Sequence, residues 1–92
     1  MKIYIRMFGR FRQQFGEERE IEMADPITPL DALKMIGATS PDAYSALFDD
    51  HDDIRRHIVL MVNKKRISHG DCNVLLLGDA DKLGVLPPVA GG

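Results

Sequence analysis

Lys2-Ile3-Tyr4-Ile5-Arg6-Met7-Phe8 alternates: Ile3, Ile5 and Met7 fall on one side, and Lys2, Tyr4, Arg6 and Phe8 on the other. A period of two marks a strand with one buried face. Gly9 breaks the pattern, and residues 10–16, ending in Gly16, read as a polar connection anchored by Phe11 and Phe15. Alternation resumes over 18–23, with Ile21 and Met23 opposite Glu20 and Glu22. Two alternating runs joined by a short connection predict an antiparallel hairpin.

Outward from that hairpin the pattern changes period. Asp25-Pro26 is turn chemistry. Thr28-Pro29-Leu30-Asp31 reads as a helix start: Thr28 caps, Pro29 suits the first helical position, and Asp31 faces the positive end of the helix dipole. Leu30, Leu33 and Ile36 form the apolar stripe and Gly37 the stop. Ser40-Pro41 repeats the start signal, so residues 28–49 are one interrupted helix or two short ones. Residues 49–57 read as a solvated loop. Ile58–Val62 is apolar at every position, as expected of a strand in a sheet covered on both sides. Asn63-Lys64-Lys65-Arg66 is a tight turn into a short strand around Ile67. Residues 68–77 are irregular, Gly78-Asp79-Ala80-Asp81 is a second turn, and Lys82–Leu86 is the last strand. Pro87-Pro88 cannot continue a ladder. The order β-β-α-β-β-β predicts an α+β fold: a mixed sheet of four to five strands curled over one main helix, with a short second helix. Residues 1–86 form a single domain and 87–92 a flexible tail.

Composition sets the limits. The chain has 92 residues, with 14 Asp+Glu against 12 Lys+Arg and a formal net charge of −2. That size allows one compact core and no deep, walled active-site cavity. A chain near neutrality is not expected to bind nucleic acid. A single cysteine excludes a disulfide scaffold and a cysteine-based zinc site within one chain. The opening residues lack the apolar core of a signal peptide, and no apolar run approaches a membrane span. The expected compartment is the reducing cytoplasm.

Catalytic side chains are scarce. No Gly-rich phosphate loop and no Ser/His/Asp signature is present. Cys72, three residues from His69, is either a nucleophile with its base or an ordinary loop thiol. His51, Asp52, Asp53 and His57 have the side chains of metal ligands without the spacing of a zinc site. Lys64-Lys65-Arg66 is a solvated turn tip or a steering patch for an acidic partner.

The ending Leu86-Pro87-Pro88-Val89-Ala90-Gly91-Gly92 is of another kind. The prolines favour an extended, stiff backbone, and Ala90, Gly91 and Gly92 carry almost no side-chain bulk. Six extended residues span about 20 Å. Such a segment can thread a narrow channel in another protein and present a carboxylate on the least hindered residue. The plain alternative is a frayed terminus.

This ending resembles the C-terminus of the MoaD/ThiS family of ubiquitin-like sulfur carriers, and its Pro-Pro-Val-Ala-Gly-Gly form is most similar to that of the molybdopterin synthase small subunit. Three further stretches resemble the family in order along the chain: Ile5-Arg6-Met7-Phe8-Gly9-Arg10-Phe11-Arg12 with Gly16, Thr28-Pro29-Leu30-Asp31-Ala32-Leu33, and Val62-Asn63-Lys64-Lys65. Two departures stand out. Gly78-Asp79-Ala80-Asp81 replaces the Asp-Gly-Asp turn of many members, and Asp49–His57 is longer than in the shortest ones, as in long-form relatives that include archaeal protein modifiers and a carrier used in cysteine synthesis.

The resemblance implies a β-grasp fold. It also implies that Gly92 is adenylated by an E1-like, ATP-using enzyme and converted to a thiocarboxylate, with sulfur from a cysteine desulfurase or rhodanese. Gly91 and the residues Pro87, Pro88, Val89 and Ala90 would then thread a partner's channel, with a large synthase subunit as the receiving partner. The protein would be a co-substrate or accessory subunit that holds no cofactor of its own, since ATP belongs to the activating enzyme. The pathway implied first is molybdopterin synthesis; conjugation to protein lysines through Gly92, or sulfur delivery to cysteine, thiamine or tRNA, uses the same tail. Phe8, on the outer side of the first strand, and Leu86, just before the tail, are the expected docking residues; alternatively Phe8 packs beneath residues 10–16.

Overall fold

Ile3, Ile5 and Met7 are fully buried, as their alternation requires, because the strand that carries them lies inside the sheet. The computed structural model describes residues 1–87. Strand β1 (Lys2–Met7) is followed by helix α1 (Arg10–Phe15), β2 (Glu18–Glu22), α2 (Pro29–Gly37), α3 (Pro41–Leu47), β3 (Val59–Val62), β4 (Lys65–Ile67), a 3-10 turn (His69–Asn73) and β5 (Lys82–Leu86). The five strands form one sheet in the order β2-β1-β5-β3-β4. The first and last strands pair in parallel at its centre, with Ile5 opposite Leu83 and Met7 opposite Val85. The other three pairings are antiparallel. This is the β-grasp: a mixed sheet closed around α2.

The buried face of the sheet meets the apolar stripe of α2. Ile3, Ile5, Leu60, Leu83 and Val85 are fully buried with Ala32 and Leu33, and Ile36 is 3% exposed. The start of α2 follows the sequence closely. Thr28 Oγ1 accepts from the Asp31 N–H at 3.1 Å, and Asp31 Oδ2 accepts from the Thr28 N–H at 3.3 Å, a reciprocal cap that satisfies two otherwise unbonded donors. Ser40 caps α3 by accepting from the Ala43 N–H at 3.0 Å, so residues 28–49 are two helices. At the β3–β4 turn Asn63 and Lys64 have φ of 50° and 72°, the left-handed pair that matches the strand twist of a tight hairpin.

Four expectations change. Residues 10–15 are helical, so the first hairpin is closed by α1 and not by an irregular polar connection. Phe11 and Phe15 sit one helical turn apart and meet edge to face at 5.8 Å, both buried. Six residues between two glycines are too few for helical periodicity to stand out. Gly37 does not end α2 through a left-handed turn; it is the last helical residue, and its lack of a side chain admits α3. A Cβ there would lie 3.2 Å from Tyr44 Cδ2 and 3.3 Å from Phe48 Cε2. Among the described residues the sheet is covered on one face only: on β3, Leu60 is buried while Val59, Met61 and Val62 are half-buried. The 49–57 loop is also more ordered than a solvated run of charge. Phe48 and Ile54 bridge across it, and Ile54 is buried. Asp49 accepts from the N–H groups of His51 and Asp53 at 2.8 and 3.1 Å, and these bonds hold its carboxyl below the usual range. The hydroxyl of Tyr44, stacked on Phe48, donates to Asp52, which pushes the tyrosine's pKa up.

Within the irregular stretch 68–77, Leu77 is buried and its N–H donates to the Ile27 carbonyl at 2.7 Å. Among the described residues no helix is long and apolar enough to cross a membrane.

Candidate functional site

The outer face of the sheet is set by register. Glu18, Arg6, Gly84, Met61 and Arg66 lie side by side across all five strands. Because the centre of that row is a glycine, the sheet is bare there. The Phe8 ring covers the gap: a Cβ on Gly84 would lie 3.3 Å from Phe8 Cε2 and 3.5 Å from Met61 Cβ. Phe8 thus occupies the outer face, as the alternation of β1 requires, and does not pack beneath residues 10–16. The Arg6 guanidinium sits 5.8 Å from its ring centroid.

Phe8, Met61 and Gly84 form the floor of a depression of about 430 Å3 whose rim carries Arg6, Asn63, Lys64 and Lys82. Asn63 ties two elements of the rim together: its Nδ2 donates to Asp81 at 2.9 Å, and its Oδ1 accepts from the Lys82 N–H at 3.0 Å. Charge divides across the face. Lys2 pairs with Glu20 at 3.5 Å and Glu22 at 3.9 Å, and Arg6 with Glu17 at 3.7 Å. Among the described residues Lys64, Lys82 and Arg66 make no ion pair. The β2 side is therefore neutralised and the β3–β4 side is left positive. An apolar floor under a basic rim can receive an apolar side chain flanked by carboxylates.

Leu86 lies opposite Val59 at the end of the central ladder and is half-buried, so it adjoins this face. Pro87, also half-buried, stands where the ladder stops. Pro88, Val89, Ala90, Gly91 and Gly92 lie outside the described residues.

The other candidates come apart. Cys72 is buried, and desolvation followed by the nearby Asp71 pushes its thiol up to about 11. An activated nucleophile needs the opposite shift. His69 is not its base, because its Nε2 lies 2.6 Å from the Ile58 carbonyl oxygen, while Cys72 Sγ faces the Ser68 carbonyl at 3.6 Å. Asp52 is engaged by Tyr44, and no group of three or more His, Cys, Asp or Glu side chains converges as a metal site among the described residues. Sequence reasoning overlooked Gly84 and Met61. The available signal was a glycine inside a strand pattern, which often marks close approach of another group.

The sequence model of the ThiS family matches residues 5–92. Small archaeal modifier protein 3 of Haloferax volcanii is 29% identical over 93 residues, covering 100% of both chains. The crystal structure of SAMP1 from Haloferax volcanii superposes with a TM-score of 0.82 over 100% of both chains at 22% identity, a likeness of fold alone. A Pyrococcus furiosus protein proposed as subunit 1 of molybdopterin converting factor gives a TM-score of 0.68 at 29% identity, covering 97% of this chain and 99% of that one.

Proposed function

We propose, from the premise that this chain belongs to the ThiS family of ubiquitin-like sulfur carriers, that its working group is the carboxylate of Gly92. The observation that carries this reading is that the family match runs to residue 92 and so includes the Gly91-Gly92 pair. A carboxylate is ionised at neutral pH and is a poor electrophile. Its oxygen attacks the α-phosphorus of ATP on an E1-like enzyme, and pyrophosphate leaves. The outer sulfur of a persulfide carried by a cysteine desulfurase or rhodanese then attacks the acyl carbon, AMP departs with the bonding pair, and a thiol of the donor cleaves the acyl disulfide so formed, itself ending in a disulfide. The product is a thiocarboxylate at Gly92, which a synthase uses as its sulfur source, returning the carboxylate.

In this scheme the domain supplies no catalytic side chain. It docks the activating enzyme through Phe8 and the basic rim, with Leu86 and Pro87 beside it, and Pro88, Val89, Ala90 and Gly91 carry Gly92 into the partner's channel. Molybdopterin synthesis is the pathway we favour, supported by the Pyrococcus furiosus relative, and a large synthase subunit is then the receiving partner. The full-length match to a protein named as an archaeal modifier favours a second reading, in which a lysine amine of another protein displaces AMP and leaves an isopeptide bond at Gly92.

Intact-mass measurement after incubation with the activating enzyme, ATP and a sulfur source tests both. The carrier reading expects one oxygen exchanged for sulfur, absent when Gly92 is deleted. Recovery of the chain unaltered would overturn it. Adducts on lysines of other proteins would favour the modifier reading.

A further inference from the structure

We infer that Gly9 is a positioning residue for the tail and sets, through the ring of Pro87, the direction in which the chain leaves the domain. The inference rests on the reading of Gly92 as the reacting group. Gly9 has φ 55° and ψ −135°, a conformation that side-chain-bearing residues rarely adopt. A Cβ at this position would lie 3.0 Å from Pro87 Cγ and 3.4 Å from Pro87 Cδ. The proline ring therefore rests on the bare Cα of Gly9, and any side chain there would lift it.

Both halves of this contact are held. The Phe8 N–H donates to the Val85 carbonyl at 3.1 Å, and the Phe8 and Gly9 carbonyls accept from the Phe11 and Arg12 N–H groups, each at 3.1 Å. Helix α1, which begins at this point, is rooted in the core by Phe11 and Phe15. On the other side, Leu86 is held opposite Val59, and Pro87 has no N–H with which to extend the ladder. Chain direction is thus decided at one proline ring lying on one glycine. Five extended residues span at most about 18 Å, so the position and direction of this root limit where Gly92 can be delivered.

Gly9→Ala, Pro87→Ala and the double variant, assayed as substrates of the activating enzyme alongside urea unfolding of each, test this. Docking through the sheet face governs KM, and delivery of the carboxylate governs kcat. Gly9→Ala is expected to lower kcat about tenfold with KM changed less than about twofold and with most of the protein folded under assay conditions. Pro87→Ala removes the ring atoms that a new Cβ would strike, so the double variant should be no slower than Pro87→Ala alone. Strictly additive losses, a loss confined to KM, or a loss that follows the unfolded fraction would overturn the inference. Failure of the unaltered protein to be activated overturns the reading beneath it; activation of the unaltered protein and of Gly9→Ala at equal rates overturns the inference alone.

Discussion

The Phe8 ring lies over Gly84, the one outward-facing position of β5 that carries no side chain: a Cβ there would stand 3.3 Å from Phe8 Cε2. The ring is half-buried and still presents apolar area at the surface. Phe8→Ala is therefore expected to weaken binding to the activating enzyme about tenfold, or ~1.4 kcal/mol, while lowering folding stability by about 1 kcal/mol or less. Titration calorimetry and urea unfolding check the two separately. Unchanged binding with a fall of about 3 kcal/mol in stability would make the ring a structural residue.

Gly37 is small because α3 needs the space. Its φ is not in the left-handed region, so alanine is acceptable to the backbone and gains about 1 kcal/mol of helix propensity. The same methyl would meet Tyr44 and Phe48 at 3.2 and 3.3 Å and the Tyr44 Cα at 3.4 Å, and overpacking of this kind costs about 1–3 kcal/mol. Gly37→Ala should thus lose about 1 kcal/mol net in urea unfolding. A gain in stability would show that Tyr44 moves aside.

The reciprocal cap of α2 is local and separable. Thr28→Ala removes the acceptor for the Asp31 N–H and should cost about 1 kcal/mol with no effect on sulfur loading, since Thr28 is remote from the outer face. Thermal unfolding with a parallel loading assay measures both.

Cys72 should resist alkylation in the folded protein. Its thiol is raised from 9.0 to about 11, so the folded state holds its proton more tightly than the unfolded one. Stability from this group is complete below about pH 9 and falls as pH rises toward about 11. The alkaline loss should be shallower in Cys72→Ala, whatever that substitution costs at neutral pH. Equal slopes for the two proteins between these pH values would refute the assignment.

Much of this molecule was legible before it folded, and for a local reason. β1, α2, the Thr28 and Ser40 caps, the Asn63-Lys64 turn and β5 all write their geometry into neighbouring side chains, by a period of two, a capping group or a turn residue. Helix α1 was not legible, because six residues give the period of 3.6 too little length. Nor was the role of Gly37, which answers to residues on another helix. Phe8 could be placed on the outer face from the alternation, and Leu86 beside the tail from its position in the sequence. Gly84, Met61, Lys64 and Lys82 could not be joined to Phe8, since they come together only through strand register.

The sequence by itself determined the class of fold, the family likeness and the Gly91-Gly92 ending, because strand alternation, helix capping and a terminal motif are properties of contiguous residues. Tertiary structure decided which face of the sheet stays uncovered, where its positive rim lies, that Cys72 is a buried thiol, and that Pro87 rests on Gly9. These depend on residues that lie apart in the chain, most of all on the parallel union of β1 and β5, and no local pattern encodes the distance between them.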